Sequence, residues 1–296
     1  RHTRYIGVTG VQTCALRSGA TTTVYETALV DGRTELSDPA VNSDTREAVS
    51  GTFQVSATDG VASVTVLGQT FVPGGPLPQD INTGYGLLDI TSFVLAADGK
   101  SATVGYTYTL SDNVLTPPAG IDYFDDIGNG ITVTGVSGAS SASVDLQIRI
   151  IDDTPLAVND AGGTVTEDGA GSLGGNVLDN DEAGADKPAV FVSWGADAAA
   201  VAALNSYGTL VRDPSTGDWS YVLDNSRPAT QALGASFNQT YTLNYTMADA
   251  DGDQSTATLT ITVTPVDDAF TDANETLSVA EDSGATAGTL LTGTTS

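Results

Sequence analysis

The sequence predicts an all-β protein built of sandwiches, and three observations carry that prediction. Apolar residues recur at every second position over several runs of five to nine residues. Clusters of Gly, Asp, Asn and Pro separate those runs. The acids are 30 Asp against 7 Glu, beside 33 Gly. Asp and Gly form turns, whereas Glu favours helices, so this balance leans away from helix. Strict alternation places one set of side chains on one face of a pleated strand, as expected of a half-buried sheet.

Taken along the chain, the first such run is Phe53, Val55 and Ala57. Val104, Tyr106, Tyr108 and Leu110 alternate with Gly105, Thr107 and Thr109. Ala142, Val144, Leu146, Ile148 and Ile150 alternate with Ser143, Asp145, Gln147 and Arg149. Asp197–Leu204 is Ala-rich and has no period of two, so it predicts a short connecting helix. Tyr241, Leu243, Tyr245 and Met247 form the next strand. The clearest is Thr256–Thr264, with Ala257, Leu259, Ile261 and Val263 facing one way and threonines the other. Many short strands with frequent turn signals predict sandwiches.

The chain has 296 residues, enough for about two domains at roughly 100–200 residues each. Ten basic residues stand against 37 acids, a formal net charge of -27, and 40% of the residues are hydrophobic. The chain can therefore bury real cores, unlike a disordered acidic tail. So negative a field argues against nucleic acid and anionic membrane surfaces as partners. No apolar run approaches the ~20 residues of a membrane span.

Residues 1–17 differ from the rest. They hold the only His (His2), the only Cys (Cys14) and three of the ten basic residues, Arg1, Arg4 and Arg17. They lack the continuous apolar stretch of a secretory signal. The segment resembles a translated sequencing-adapter artefact; the alternative is a basic N-terminal arm. Ser18–Ser296, with 7 basic and 37 acidic residues, carries a net −30 and has neither His nor Cys. That inventory excludes a disulfide framework, an ordinary zinc site and His-based or Cys-based catalysis. Only carboxylate-pair chemistry survives it.

Internal similarity sets the expected domain count. Leu146-Gln147-Ile148-Arg149-Ile150-Ile151-Asp152-Asp153 matches Ile261-Thr262-Val263-Thr264-Pro265-Val266-Asp267-Asp268, 115 positions later. An Asn-acid pair follows each, Asn159-Asp160 and Asn274-Glu275, and then Val-x-Glu, Val165-Thr166-Glu167 and Val279-Ala280-Glu281. Val24-Tyr25-Glu26 is a third copy. The expected layout is a tail over 1–18, a repeat domain over 19–154, a second over 155–268, and the truncated start of a third over 269–296. On this reading the chain is a fragment of a longer tandem array.

The second repeat carries Tyr207-Gly208-Thr209-Leu210, Gly217-Asp218-Trp219-Ser220-Tyr221-Val222-Leu223-Asp224-Asn225 and Ala248-Asp249-Ala250-Asp251-Gly252-Asp253. This run resembles a VCBS repeat, a cadherin-like module of giant RTX-type bacterial surface adhesins. The first repeat is similar to related repeats of the same adhesins, through Val49-Ser50-Gly51-Thr52-Phe53, Thr58-Asp59-Gly60-Val61 and Ile151-Asp152-Asp153-Thr154-Pro155. The resemblance implies tandem immunoglobulin-like (cadherin-like) sandwiches, type I secretion to the cell surface, and calcium at the joints between domains. By that resemblance the ligands at the first joint are Asp152, Asp153, Asn159, Asp160 and Glu167. At the second joint they are Asp267, Asp268, Asn274, Glu275 and Glu281.

The residues add their own case for a cation. Asp249-Ala250-Asp251-Gly252-Asp253 sets three carboxylates at alternate positions of a tight turn, where several oxygens can converge on one calcium ion. It is not an EF-hand loop, since no Glu stands at the twelfth position; the alternative is an acidic hairpin turn. Asn176-Val177-Leu178-Asp179-Asn180-Asp181, with Asp186 beyond, either binds calcium or forms an Asx turn. In the first repeat the stretch aligned with Asp249–Asp253 reads Thr134-Gly135-Val136-Ser137-Gly138, without acids. Asp122, Asp125 and Asp126 are the nearby substitutes. The RTX nonapeptide GGxGxDxUx is absent from the sequence.

Trp219, Tyr221, Tyr241 and Tyr245 read either as a sugar-binding platform or, better, as core packing at inward phase. The expected function is a non-enzymatic extender segment of a large secreted adhesin, acting in cell adhesion or biofilm formation. Its partners are neighbouring repeats of the same chain, with surface glycans or other cells engaged through modules outside this sequence. The alternatives are a glycan- or surface-binding sandwich and a carboxylate-pair glycoside hydrolase.

Overall fold

The computed structural model describes residues 14–18, 22–32, 45–77, 79–115, 123–169, 171–234, 237–267, 270–272, 278–282, 284–285 and 293–295. The chain is all-β, with one helix and one short 3₁₀ turn among these residues. By contacts it divides into two compact units. The first is Arg1–Ala157 with Asp181–Val190 and Met247–Ser255; the second is Val158–Asn180, Phe191–Thr246 and Thr256–Ser296. The sequence repeats assign 181–190 and 247–255 to the second domain, whereas their contacts group them with the first unit.

The first unit contains β1 (Cys14–Ser18), β2 (Thr22–Tyr25), β3 (Ala48–Ala57), β4 (Val61–Val66), β5 (Gln69–Phe71) and β6 (Gln79–Asn82). It continues with β7 (Gly86–Leu95), β8 (Ser101–Leu110), β9 (Tyr123–Asp126), β10 (Asn129–Gly135), β11 (Val144–Asp145) and β12 (Ile148–Ile151). Three sheets result, ordered β1-β3-β8-β7-β6, β11-β10-β4-β5 and β2-β12-β9. Cys14–Ser18, in the segment whose composition stands apart, pair with the edge of β3; residues 1–13 lie outside the described residues.

The alternating runs bury one face, as their period requires. Phe53, Val55, Val104, Tyr106 and Tyr108 are all at most 3% exposed, and β3 pairs with β8 so that Phe53 lies opposite Val104. The 142–150 run does not form one strand. It breaks at Leu146-Gln147, because β11 pairs with β10 while β12 pairs with β2 and β9 in another sheet. Leu146, Ile148 and Ile150 keep their inward phase across the switch. Periodicity reports which face is buried, not which strand is the partner. Within the core, the Tyr108 hydroxyl donates to Asp126 Oδ2 at 2.7 Å.

The second unit holds β13 (Asp160–Thr166), β14 (Ser172–Asn176), α1 (Ala198–Tyr207), β16 (Gly208–Arg212), β17 (Asp218–Leu223) and all but the ends of β15 (Val190–Trp194), β18 (Gln239–Ala248) and β19 (Gln254–Thr264), whose Val190, Met247–Ala248 and Gln254–Ser255 fall in the first. Its sheets run β13-β19-β18-β15 and β14-β17-β16. The helix starts one residue later than expected and runs three further. Ala257, Leu259, Ile261 and Val263 of β19 are buried, as are Leu243, Tyr245 and Met247 of the neighbouring β18. β20 (Phe270–Asp272) and β21 (Gly293–Thr295) pair antiparallel beyond the second repeat.

Candidate metal centre

Four chain segments bring five carboxylates together within the first unit. Glu26 follows β2 in the 3₁₀ turn Glu26–Ala28 and is fully buried. Asp152 follows β12 and is half-buried. Asp186 lies in the loop before β15 and is fully buried. Asp249 and Asp251 lie in the turn between β18 and β19, with Asp249 only 2% exposed. Glu26, Asp152 and Asp186 each offer an oxygen within 4.8 Å of the others, and so do Asp186, Asp249 and Asp251. Asp186 is shared by both triads.

Backbone amides aim these acids. Glu26 Oε1 accepts from Val114 N at 2.7 Å, and Oε2 accepts from Asp153 N at 3.3 Å. In the 249–253 turn, the amides of Gly252 and Asp253 both donate to Asp249 Oδ1, at 3.1 and 2.8 Å. Asp186 Oδ1 accepts from Asn113 Nδ2 at 2.7 Å, and its carbonyl accepts from Ala250 N at 2.9 Å. After these bonds, Asp152 Oδ1, Asp186 Oδ2, Asp249 Oδ2 and Asp251 Oδ2 are buried oxygens without a hydrogen-bond partner.

The electrostatics fit that geometry. Burial, then the charge of Asp186, pushes the Glu26 carboxyl up to about 7, against the pull of the Val114 amide. Burial, then a hydrogen bond with Glu26, pushes Asp152 up to about 9. Burial raises Asp186 to about 6. Burial, then a bond shared with Asp251, raises Asp249 to about 7. Without a cation, crowded acids hold protons near neutral pH because removing them leaves like charges side by side in a poor solvent.

This donor set fits calcium. It is oxygen only, as a hard cation prefers, without the thiolate or imidazole that zinc takes. Each triad supplies at least three of the six to eight oxygens calcium accepts, and four of the cluster's oxygens are buried without a hydrogen-bond partner.

The sequence-predicted residues divide into those that join this cluster and those that do not. Asp152, Asp249 and Asp251 join it. Asp153 packs beside it, fully buried, but spends its carboxylate on backbone: Oδ1 accepts from Thr154 N at 2.9 Å and Oδ2 from Ala185 N at 3.0 Å. Asp253 is 9% exposed and lies in neither triad; its amide serves Asp249 and Asp251. Asn159 Oδ1 accepts from the Thr258 amide and hydroxyl, at 3.0 and 2.9 Å, which staples the linker to β19. Asp160 opens β13, opposite Leu259.

Glu167 is not at the first joint. It is 1% exposed and bonded through Oε2 to Val266 N at 3.0 Å, while Oε1 is buried without a partner. The glutamates of the first two Val-x-Glu copies thus meet the backbone that closes their own repeats, Asp153 for Glu26 and Val266 for Glu167. Asp267 and Glu281 are exposed. Asp268, Asn274 and Glu275 lie outside the described residues.

One member of the cluster, Glu26, is absent from the sequence-predicted ligands, and Asp186 stands among them only as one of two alternatives, calcium or an Asx turn. Glu26 had a signal, the shared Val-x-Glu motif. Asp186 separates from the Asn176–Asp181 loop, which turns on itself: Asn176 Oδ1 accepts from Leu178 N at 2.8 Å, an Asx turn. In the first repeat, Asp125 pairs with Arg149 at 2.8 Å and Asp126 takes the Tyr108 hydroxyl, so both are engaged away from the 134–138 turn. There the Ser137 amide donates to Asp59 Oδ2. Asp122 lies outside the described residues. Trp219, Tyr221 and Tyr245 are at most 7% exposed, which fits core packing; Tyr241 is half-buried.

Residues 152–265 match the family model of the bacterial cadherin-like domain. That domain is an adhesion-type extracellular module. The match begins at Asp152 and spans Asp186, Asp249 and Asp251. Among solved structures, the chain is similar to cadherin-like domains 1 to 4 of zebrafish RET, at 12% identity and a TM-score of 0.25, over 86% of this chain and 51% of that one. It is similar to the EC1-4 fragment of PcdhgB3, at 14% identity and a TM-score of 0.25, over 77% and 61%. The human desmocollin-1 ectodomain follows at 11% identity and 0.23, over 80% and 51%. The chain spans about half the length of the zebrafish and human structures. No curated protein matches it. No helix among the described residues is long and apolar enough to cross a membrane.

Proposed function

We propose that this chain is a non-enzymatic, calcium-stiffened extender segment of a large secreted bacterial adhesin. The observation that carries the reading is the set of buried, partnerless carboxylate oxygens on Asp152, Asp186, Asp249 and Asp251, in two triads of acids that share Asp186 and include buried Glu26. Acids so placed repel one another, and a cation among them removes the repulsion. Glu26 and Asp152 flank the first and last strands of the first repeat, while Asp186 and the 249–251 turn are carried between strands of the second. A bound calcium ion supplies positive charge and oxygen coordination, and so ties the two sequence repeats together at that point. Extracellular calcium is millimolar, so sites with dissociation constants of roughly 10⁻⁴–10⁻³ M fill there.

The same reading extends to the second joint, with Glu167 as its buried ligand beside Asp267, Asp268, Asn274 and Glu275. Glu281, the third Val-x-Glu glutamate, belongs on this pattern to the joint after that one. Secretion by a type I route and a part in biofilms follow from the resemblance to RTX-type adhesins.

The test is small-angle scattering and thermal melting in calcium and then in chelator. Calcium is expected to lengthen the particle and raise its melting temperature. An unchanged length and melting temperature overturn the proposal.

A further inference from the structure

We propose that Asn113 is a positioning residue for cation binding, acting through Asp186. The inference rests on the calcium reading above and adds a residue that carries no charge and belongs to neither acid triad.

Asn113 lies in the loop after β8, and three contacts fix that loop. The amides of Ser111 and Asp112 both donate to the Tyr85 carbonyl, at 2.9 and 3.1 Å. Val114 is 1% exposed and belongs to the core of the first unit. Between these anchors the loop presents two consecutive donors to two acids. The Val114 amide meets Glu26 Oε1, and the Asn113 side-chain amide meets Asp186 Oδ1, each at 2.7 Å. Glu26 belongs to one triad and Asp186 to both. One short, anchored loop therefore orients a carboxylate of each.

The chemistry requires the amide NH₂ at this place. An ionised carboxylate only accepts hydrogen bonds, so the group facing it must donate. A Lys or Arg there donates too, but it brings a charge that competes with the cation. The Asn113 amide holds Oδ1 and leaves Oδ2 buried and partnerless, as a ligand oxygen requires. Partners of this kind orient ligating carboxylates, and their loss costs about ten- to a hundredfold in metal affinity.

The experiment is terbium titration, read by luminescence sensitised from the protein's aromatic residues, on the full chain and on Asn113→Leu and Asn113→Ala. Leucine keeps the heavy-atom branching of asparagine and removes both polar atoms, while alanine removes bulk as well, so a packing role separates the two variants and loss of the donor does not. Both variants are expected to bind terbium about ten- to a hundredfold more weakly. In an Asp186→Asn background, Asn113→Leu is expected to change affinity by less than twofold, because its route is already cut. Affinity within twofold of the parent in the single variants overturns the proposal. So does an equal loss in both backgrounds, which makes Asn113 act independently of Asp186. Should Asp186→Asn abolish binding, the single variants decide. A parent chain that takes no terbium or calcium overturns the calcium reading itself, a result distinct from either of these.

Discussion

A Cβ placed on Gly184 lies 2.6 Å from Asp153 Oδ2, so no side chain fits between these two residues. Gly184 also has φ of +75°, in the region that favours glycine. Asp153 in turn accepts from Ala185 N, which holds the short stretch leading to Asp186. Gly184→Ala is therefore expected to act on the acid cluster without touching a ligand. Calcium affinity, measured by calorimetry, should fall at least several-fold, and the metal-free melting temperature should drop as well. Unchanged affinity sinks the idea that this turn presets Asp186.

Stability of the cation-free chain is expected to fall as pH rises. Glu26, Asp152, Asp186 and Asp249 all have folded values raised above those of an unfolded carboxyl, to between about 6 and about 9. The folded state thus binds protons more tightly than the unfolded state. Its advantage is complete below the ordinary carboxyl range near pH 4 and is lost as pH climbs through 6 to 9. Melting in chelator at pH 5, 7 and 9 should show a declining midpoint, and saturating calcium should flatten the decline. A midpoint that rises with pH in chelator contradicts this.

Asp186 and Asp253 separate sharing from proximity. Asp186→Asn removes a charge common to both triads and is expected to weaken calcium binding by at least about tenfold, because ligand charge count tunes such sites. Asp253→Asn, in neither triad, should cost clearly less. Equal losses, read by the same titration, refute the assignment of Asp186 as the shared ligand.

Outside both triads, Tyr108→Phe deletes the buried bond to Asp126 and keeps the ring. A charge-assisted bond of this kind, lost with its acceptor left buried, costs about 1–3 kcal/mol. Denaturant unfolding should show that loss equally with and without calcium. A loss seen only in calcium refutes the separation of this core bond from the metal centre.

Much of the sandwich was legible in the sequence because burying one face of a strand imposes a period of two. Ala257 through Val263 and Phe53 through Ala57 show it directly. What periodicity lacks is the identity of the partner, so 142–150 read as one strand where the chain changes sheets at Leu146-Gln147. The metal centre was harder for a related reason. Glu26, Asp152, Asp186 and Asp249 are scattered over more than two hundred positions, and only topology brings them together. Local density of acids misled in the opposite direction. Asn159 is bonded to Thr258, Asp153 to the Thr154 and Ala185 amides, and Glu167 through Oε2 to Val266 at the end of its own repeat.

The parallel pairing of first and last strands has a mechanical consequence. β2 runs beside β12 through four residue pairs, and β13 beside β19 through six. When a chain is pulled from both ends, the first strand is drawn toward its start and the last toward its finish. Side by side and pointing the same way, they must slide past each other, so the hydrogen bonds between them are strained at once. An antiparallel hairpin pulled at its open end unzips one bond at a time. Each sandwich is thus laid out to bear tension in shear, with or without a cation beside Asp186.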